Sequence, residues 1–288
     1  MNKKKLAIVG IFYDGYVDIW RDFIRYFKIY WADCPYDFYI VDNEIQMDID
    51  NITFINAGKD AEYSRKVQMA IEQINADYYL LLLEDFFFGT RLDKDILEPI
   101  MNFIEEEKIE YYGISSLSSF SKYKSNLYDV SKGYLYKINP KNRYTLGCQA
   151  VIWEKNFLKR CIGTRNYNAW VFEGAFTKSK KVHTDEFLKK CVKDTRNILQ
   201  FKHGVLQQKL LPETVEYYRQ IGNPITSNRD TMSEKDFSKY VRNSKVAALI
   251  PRALHEPLKK IVGEKRGNAV LDKYEQQIQV VIKESFGE

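Results

Sequence analysis

The chain has 288 residues, 45% of them hydrophobic and 29% charged, with a formal net charge of +5. That length buries a sizeable core in one large domain, or one plus an appendage, and the composition is ordinary for a soluble globular protein. The mild positive charge suits anionic ligands or an anionic membrane surface and does not demand nucleic acid.

The four cysteines, Cys34, Cys148, Cys161 and Cys191, show no CxxC and no metal spacing, so free thiols in a reducing cytosol are expected. No apolar run approaches the roughly 20 residues of a membrane helix. MNKKK leads into LAIVGIF, too short for a signal peptide and better read as a strand.

In chain order, the apolar run 5–12 predicts a buried parallel strand. Over 17–31, Ile19, Trp20, Phe23, Ile24, Phe27 and Trp31 recur at helical spacing, and Cys34-Pro35 ends that helix. DFYIVD (37–42) and TFINAG (53–58) predict a second and third strand. Ser64 can cap a helix over 65–75, where Val67, Ala70, Ile71 and Ile74 share a face. YYLLLL (78–83) is a fourth strand, 94–107 a helix and 111–116 a fifth strand. Residues 117–148 read as a long irregular loop, and 149–161 as a strand running into a helix. From about 228 the chain turns polar and helical.

Such alternation predicts an α/β, doubly wound, mostly parallel sheet flanked by helices, with ligands bound beyond the strands' carboxyl ends. Glu84 and Asp85 follow directly on YYLLLL, at one of those ends. Adjacent carboxylates there suit a hard dication, Mg2+ or Mn2+, with substrate phosphates supplying further oxygens. A loop acid pair without a ligand is the alternative.

The ordered runs FKIYWADCPYDFYIVDN (27–43), AGKDAEYSRKVQMAI (57–71), YYLLLLEDFFF (78–88), QAVIWEKNFL (149–158) and NAWVFE (168–173) resemble a family of bacterial polysaccharide glycosyltransferases of capsule or lipopolysaccharide assembly. The resemblance covers residues 5 to about 215 and implies a GT-A-like fold. In that family a D-x-D at the end of the fourth strand holds a metal on the nucleotide diphosphate. Here the stretch is Leu83-Glu84-Asp85, so the first acid is absent and Asp85 matches the last.

Nucleotide-sugar transfer needs charge neutralised on the leaving phosphates, by a dication or by basic side chains. Ser64, Arg65 and Lys66 open a helix near the expected donor, although a capped, solvated helix start fits equally well. Phe12, Tyr13 and Asp14 after the first strand, and Asp42 with Asn43 after the second, supply an aromatic and carboxylates for base and ribose. Glu84 completes the donor side. Loop tyrosines and Asp-Asn turns are also common without function.

In NAWVFE, Trp170 and Phe172 offer flat apolar faces to an acceptor sugar, and Glu173 is a candidate base, with 149–176 as the acceptor-facing part of the sheet. A core aromatic pair beside a capping Glu is the alternative. His203, before Gly204, and Lys209 resemble the family's late element on metal or phosphate, His203 being the metal's second ligand. A lone histidine is otherwise usually structural.

The expected organisation is a catalytic domain over 1–225 and a helical C-terminal extension over 226–288. Expected partners are a nucleotide-diphosphate sugar and a glycan or lipid-linked acceptor. The basic amphipathic segment 242–266 suits an anionic membrane face, or a helix packed on the domain or a dimer partner. The expected location is cytoplasmic, peripheral on the inner membrane face where that segment binds lipid. A non-catalytic glycosyltransferase-like scaffold is the rival function, and a nucleotidyltransferase a weaker third.

Overall fold

The computed structural model describes residues 5–114, 128, 133–140, 145–239 and 273–288. Eight strands form one sheet in the order β3-β2-β1-β4-β8-β6-β9-β7. They are β1 (Leu6–Ile11), β2 (Phe38–Asp42), β3 (Ile52–Asn56), β4 (Tyr78–Leu83), β6 (Tyr111–Gly113), β7 (Leu135–Lys137), β8 (Val151–Glu154) and β9 (Cys191–Asp194). Strands β3, β2, β1 and β4 run parallel, as do β6 and β9; β8 lies antiparallel between β4 and β6, and β7 antiparallel on the edge. The expected doubly wound, mostly parallel α/β sheet flanked by helices is therefore the architecture.

The central strands explain themselves. Both faces of β1 and β4 are covered, so both read as unbroken apolar runs. Ala7, Val9, Tyr79 and Leu81 join one core, which takes in α2 (Tyr63–Gln73), α4 (Lys155–Ile162) and α5 (Ala169–Lys178). Leu6, Ile8, Tyr78, Leu80 and Leu82 join the other, beneath α1 (Val17–Tyr30) and α3 (Glu98–Glu107). Period-two alternation divides each strand between the layers. The stripe expected on α1 is buried at Ile19, Trp20, Phe23, Ile24, Phe27 and Trp31.

Several elements depart from expectation. Helix α3 starts at Glu98 rather than Lys94, with Pro99 in its first turn, where the missing N–H costs nothing. Helix α2 starts at Tyr63, so Ser64 lies inside its first turn rather than at the cap. Phe86–Phe88 is a short strand, β5, paired antiparallel with β10 (Phe201–His203) in a second small sheet. Strand β7 falls within the expected loop 117–148, of which 128, 133–140 and 145–148 are described. The segment 168–176 is not part of the sheet. It starts α5, with Asn168 as N-cap accepting from the Val171 N–H at 3.0 Å.

After a short helix, α6 (Asp185–Leu188), and strands β9 and β10, a hairpin of β11 (Val205–Leu206) and β12 (Lys209–Leu210) leads into α7 (Pro212–Gln220). Residues 223–232 then strap α1. The buried Asp22 carboxylate accepts from the backbone N–H groups of Thr226 and Ser227, the Thr226 hydroxyl and Arg25. Asp18 takes both the Ser227 hydroxyl and the Arg229 guanidinium. Near the C-terminus, α8 (Glu275–Val281) and a π-turn over Ile282–Phe286 seat Ile278, Val281, Ile282 and Phe286 in the core that contains α5. The segment 242–266 lies outside the described residues. All four cysteines are free thiols.

Candidate active site

At the carboxyl ends of β1, β2 and β4 the chain gathers acids around one buried lysine. Beyond β1, the Tyr13 N–H donates to Glu84 Oε1 at 3.1 Å. Asp14 accepts from the Asn43 and Glu44 N–H groups at 2.9 Å each, which locks the first strand end to the second. Lys66 reaches in from α2, 3% exposed, its Nζ donating to the Phe12 carbonyl at 2.6 Å and to Asn43 Oδ1 at 2.8 Å. The Tyr13 ring lies over that ammonium at 5.6 Å and is 58% exposed.

Burial of these carboxylates shows in their protonation. Glu84 is pushed up to about 8, first by desolvation and then by Asp85, against hydrogen bonds from backbone N–H groups and the Lys66 charge. Asp42 is pushed up to about 7 by desolvation and by Asp14, with Lys66 opposing. Both Asp42 oxygens are buried and without a hydrogen-bond partner among the described residues. Lys66 is pulled down by burial, with Glu84, Asp14 and Asp42 holding it up.

For these acids the folded pKa exceeds the unfolded one. The stability tied to their neutral forms is full at low pH and is lost as pH rises from about 4 toward 7–8. In urea unfolding without ligand, the protein should lose on the order of 2–4 kcal/mol between pH 5 and 7.5. Asp42→Asn should remove about half of that loss; a variant with the wild-type pH slope refutes the assignment to Asp42.

The Glu84-Asp85 turn leads into β5, whose register sets Phe86 opposite His203. The two rings stack at 4.5 Å and 9°, and His203 Nε2 faces Asp85 Oδ2 at 3.6 Å. Asp85 Oδ1 is buried without a hydrogen-bond partner among the described residues. Gly204 has the reason for being glycine that a close approach demands: a Cβ there would meet the Phe87 ring at 2.5 Å. Its N–H donates to the Asp85 carbonyl at 2.6 Å, so the close approach continues the pairing of β10 with β5.

On the other side, Glu173 projects from α5 and accepts from the Cys148 N–H at 3.4 Å. Burial raises its pKa, the Cys148 N–H opposes, and the nearby Asp85 charge raises it further. Asp85 and Glu173 therefore lie within electrostatic reach of each other at one strand edge.

Other candidates fall elsewhere. Phe12 is fully buried against Trp20 and Phe23, and Phe172 is 1% exposed among Tyr63, Trp153 and Phe176, so neither ring has a free face for a base or sugar. The fully buried Ser64 hydroxyl donates to the Arg165 carbonyl and accepts from the Tyr167 N–H, tying α2 to the loop between α4 and α5 instead of meeting a donor. Arg65 pairs along α2 with Gln68 and Glu72. Lys209 stands exposed on β12. Trp170 is 52% exposed on α5, so its ring remains open.

Two neighbours were not singled out from the sequence. Burial raises the Tyr16 phenol; Arg229 opposes this, and Asp85 and Glu84 add to it, which places Tyr16 beside the acidic edge. Arg229 covers the Tyr16 ring at 4.1 Å and donates to the Gly15 carbonyl at 3.0 Å. Arg229 lies 211 residues from its partner Asp18, and no local pattern announces that pair.

No family model and no curated protein matches the chain. Among solved structures, a 1-349 fragment of S. aureus TarS is 15% identical over 54% of this chain and 48% of that one, with a TM-score of 0.37. S. aureus TarS itself is 14% identical over 81% and 41%, at 0.43. The 1-349 fragment in complex with UDP-GlcNAc is 12% identical over 81% and 69%, at 0.45. The chain thus spans less than half the length of the first two, and likenesses this distant carry no argument about function. Among the described residues, no helix is long and apolar enough to cross a membrane.

Proposed function

We propose that this chain is a glycosyltransferase that moves a sugar from a nucleotide-diphosphate donor to a glycan or lipid-linked acceptor in bacterial surface polysaccharide synthesis. One observation carries the reading. At the carboxyl edge of a doubly wound sheet, where such folds bind ligands, Asp85 faces His203 while Glu173 stands close by with a raised pKa.

Asp85 and His203 fit a divalent cation, Mn2+ or Mg2+, as an oxygen and an imidazole donor on one edge, with Asp85 Oδ1 unpartnered among the described residues. No group of three or more His, Cys, Asp or Glu suited to a metal occurs among the described residues, so phosphate oxygens would complete the shell. The ion, when bound, would supply Lewis-acid stabilisation of the departing diphosphate. Glu84 is not a ligand in this reading, because Oε1 is engaged by Tyr13 and burial favours its neutral form.

The chain's own residues do the rest. Tyr13 offers an exposed ring for a base, and Asp14 and Asn43 hold the first two strand ends together around it. Lys66 offsets the negative floor from below. Glu173 takes the proton of the acceptor hydroxyl on Oε1 or Oε2, and Trp170, three residues earlier on α5, provides an open ring for the acceptor sugar.

A thermal-shift screen of nucleoside diphosphates and nucleotide sugars, each with and without Mn2+, tests the reading. A true donor at about 100 times its Kd should stabilise the protein by about 2.7 kcal/mol. No shift from any nucleotide or nucleotide sugar refutes it. A shift without any sugar transfer or donor hydrolysis leaves the non-catalytic scaffold as the function.

A further inference from the structure

Residues 147–150 form a short irregular segment between the sheet and α5. Ala150 is fully buried with φ +44, a left-handed conformation that a residue with a Cβ adopts only where its surroundings enforce it. One residue later β8 begins, pairing Val151 with Leu81 of β4. The turn at Ala150 takes 147–149 out of the ladder. The Leu83 N–H, at the end of β4, then meets the side-chain Oε1 of Gln149 at 2.7 Å. Among the described residues Gln149 Nε2 has no hydrogen-bond partner.

The two backbone donors just before it go to side chains of two other elements. The Gly147 N–H donates to Tyr111 Oη at 3.1 Å, and the Cys148 N–H to Glu173 Oε1 at 3.4 Å. The Tyr111 ring is itself fixed edge-on against Trp153, with centroids 4.8 Å apart at 88°. One four-residue segment therefore joins the end of β4, immediately before Glu84 and Asp85, to β6 and to the carboxylate on α5.

We infer that Gln149 and Tyr111 are positioning residues: they hold the 147–150 segment so that the Cys148 N–H fixes Glu173 relative to the Asp85 edge. The importance of that placement rests on the glycosyl-transfer reading; its test does not. In protein labelled with 13C at the glutamate carboxyls, Glu173 is assigned with Glu173→Gln and its titration followed without ligand. Burial and Asp85 raise this pKa and the Cys148 N–H opposes them. Gln149→Met and Tyr111→Phe should each loosen that hydrogen bond and move the titration upward by about half a unit or more.

Tyr79→Phe is the control. It removes a buried hydroxyl bonded to the Ile74 carbonyl, away from the segment, and should leave Glu173 unmoved. An unchanged Glu173 titration in the folded variants overturns the inference, as does an equal shift in the control. Should Gln149→Met not fold, Tyr111→Phe decides alone. In turnover, both variants should lower kcat several-fold while donor KM stays within about twofold. If the wild type transfers no sugar, the proposed function fails while the titration still decides the positioning.

Discussion

Asp85→Ala is expected to lower sugar transfer by at least about 1000-fold, because several kcal/mol of stabilisation on the departing diphosphate disappear with it. The residue occupies the turn between β4 and β5, faces His203 at 3.6 Å, and keeps one carboxylate oxygen buried and, among the described residues, unpartnered. Nucleotide binding should persist at reduced strength and lose its enhancement by Mn2+. Glu84→Ala should cost less, since Glu84 braces the Tyr13 backbone. Calorimetric titration of nucleotide with and without Mn2+, beside turnover, measures both effects. Full activity of the wild type in EDTA would remove the metal from the mechanism. Lys66 and His203, both at that edge, would then be the first groups to test for balancing the phosphates.

Glu173→Gln is expected to lose about 100-fold or more in turnover with donor binding near wild type, in keeping with typical general-base contributions. The substitution preserves shape, and the amide can still accept from the Cys148 N–H. The acidic limb of the kcat profile should vanish with the carboxylate. In the wild type that limb should lie above the ordinary Glu range, because burial and the Asp85 charge outweigh the Cys148 N–H. Activity needs the ionised base, so turnover rises with pH through that limb. Normal turnover in the variant would end the assignment, and Asp14 and Glu84 become the next carboxylates to test.

The sheet was legible because its central strands are apolar on both faces, a pattern that β1 and β4 display without interruption. The acids after YYLLLL were legible for the same reason: a charge pair at the boundary of such a run must stand at an edge. Other features were not local. Phe86–Phe88 is too short for a period to be read, and it is a strand because Phe201–His203 lies beside it. Gln149 matters through Leu83, 66 positions away.

Aromatic content misled at Phe12 and Phe172. Composition says that a ring is present and not which way it faces: Phe12 is fully buried while its neighbour Tyr13 is 58% exposed. NAWVFEGAF is rich in residues that favour strands, yet Asn168 at its head is the cap that starts a helix. Glu173 therefore comes to the strand edge on a helix rather than along the sheet.

The docking of Ile278, Val281, Ile282 and Phe286 bears on the order in which the molecule can be completed. These side chains close the layer around α5, where Phe286 meets Phe176 with ring centroids 5.6 Å apart, and Arg165 reaches across to Glu284. During synthesis they emerge from the ribosome about 100 residues after the helix they cover. At roughly 5–20 residues per second, the outer face of that helix stays bare for some 5–20 seconds. Until then the apolar surface beside Glu173 is open to other chains, and the stretch that seals it is made about 100 residues later.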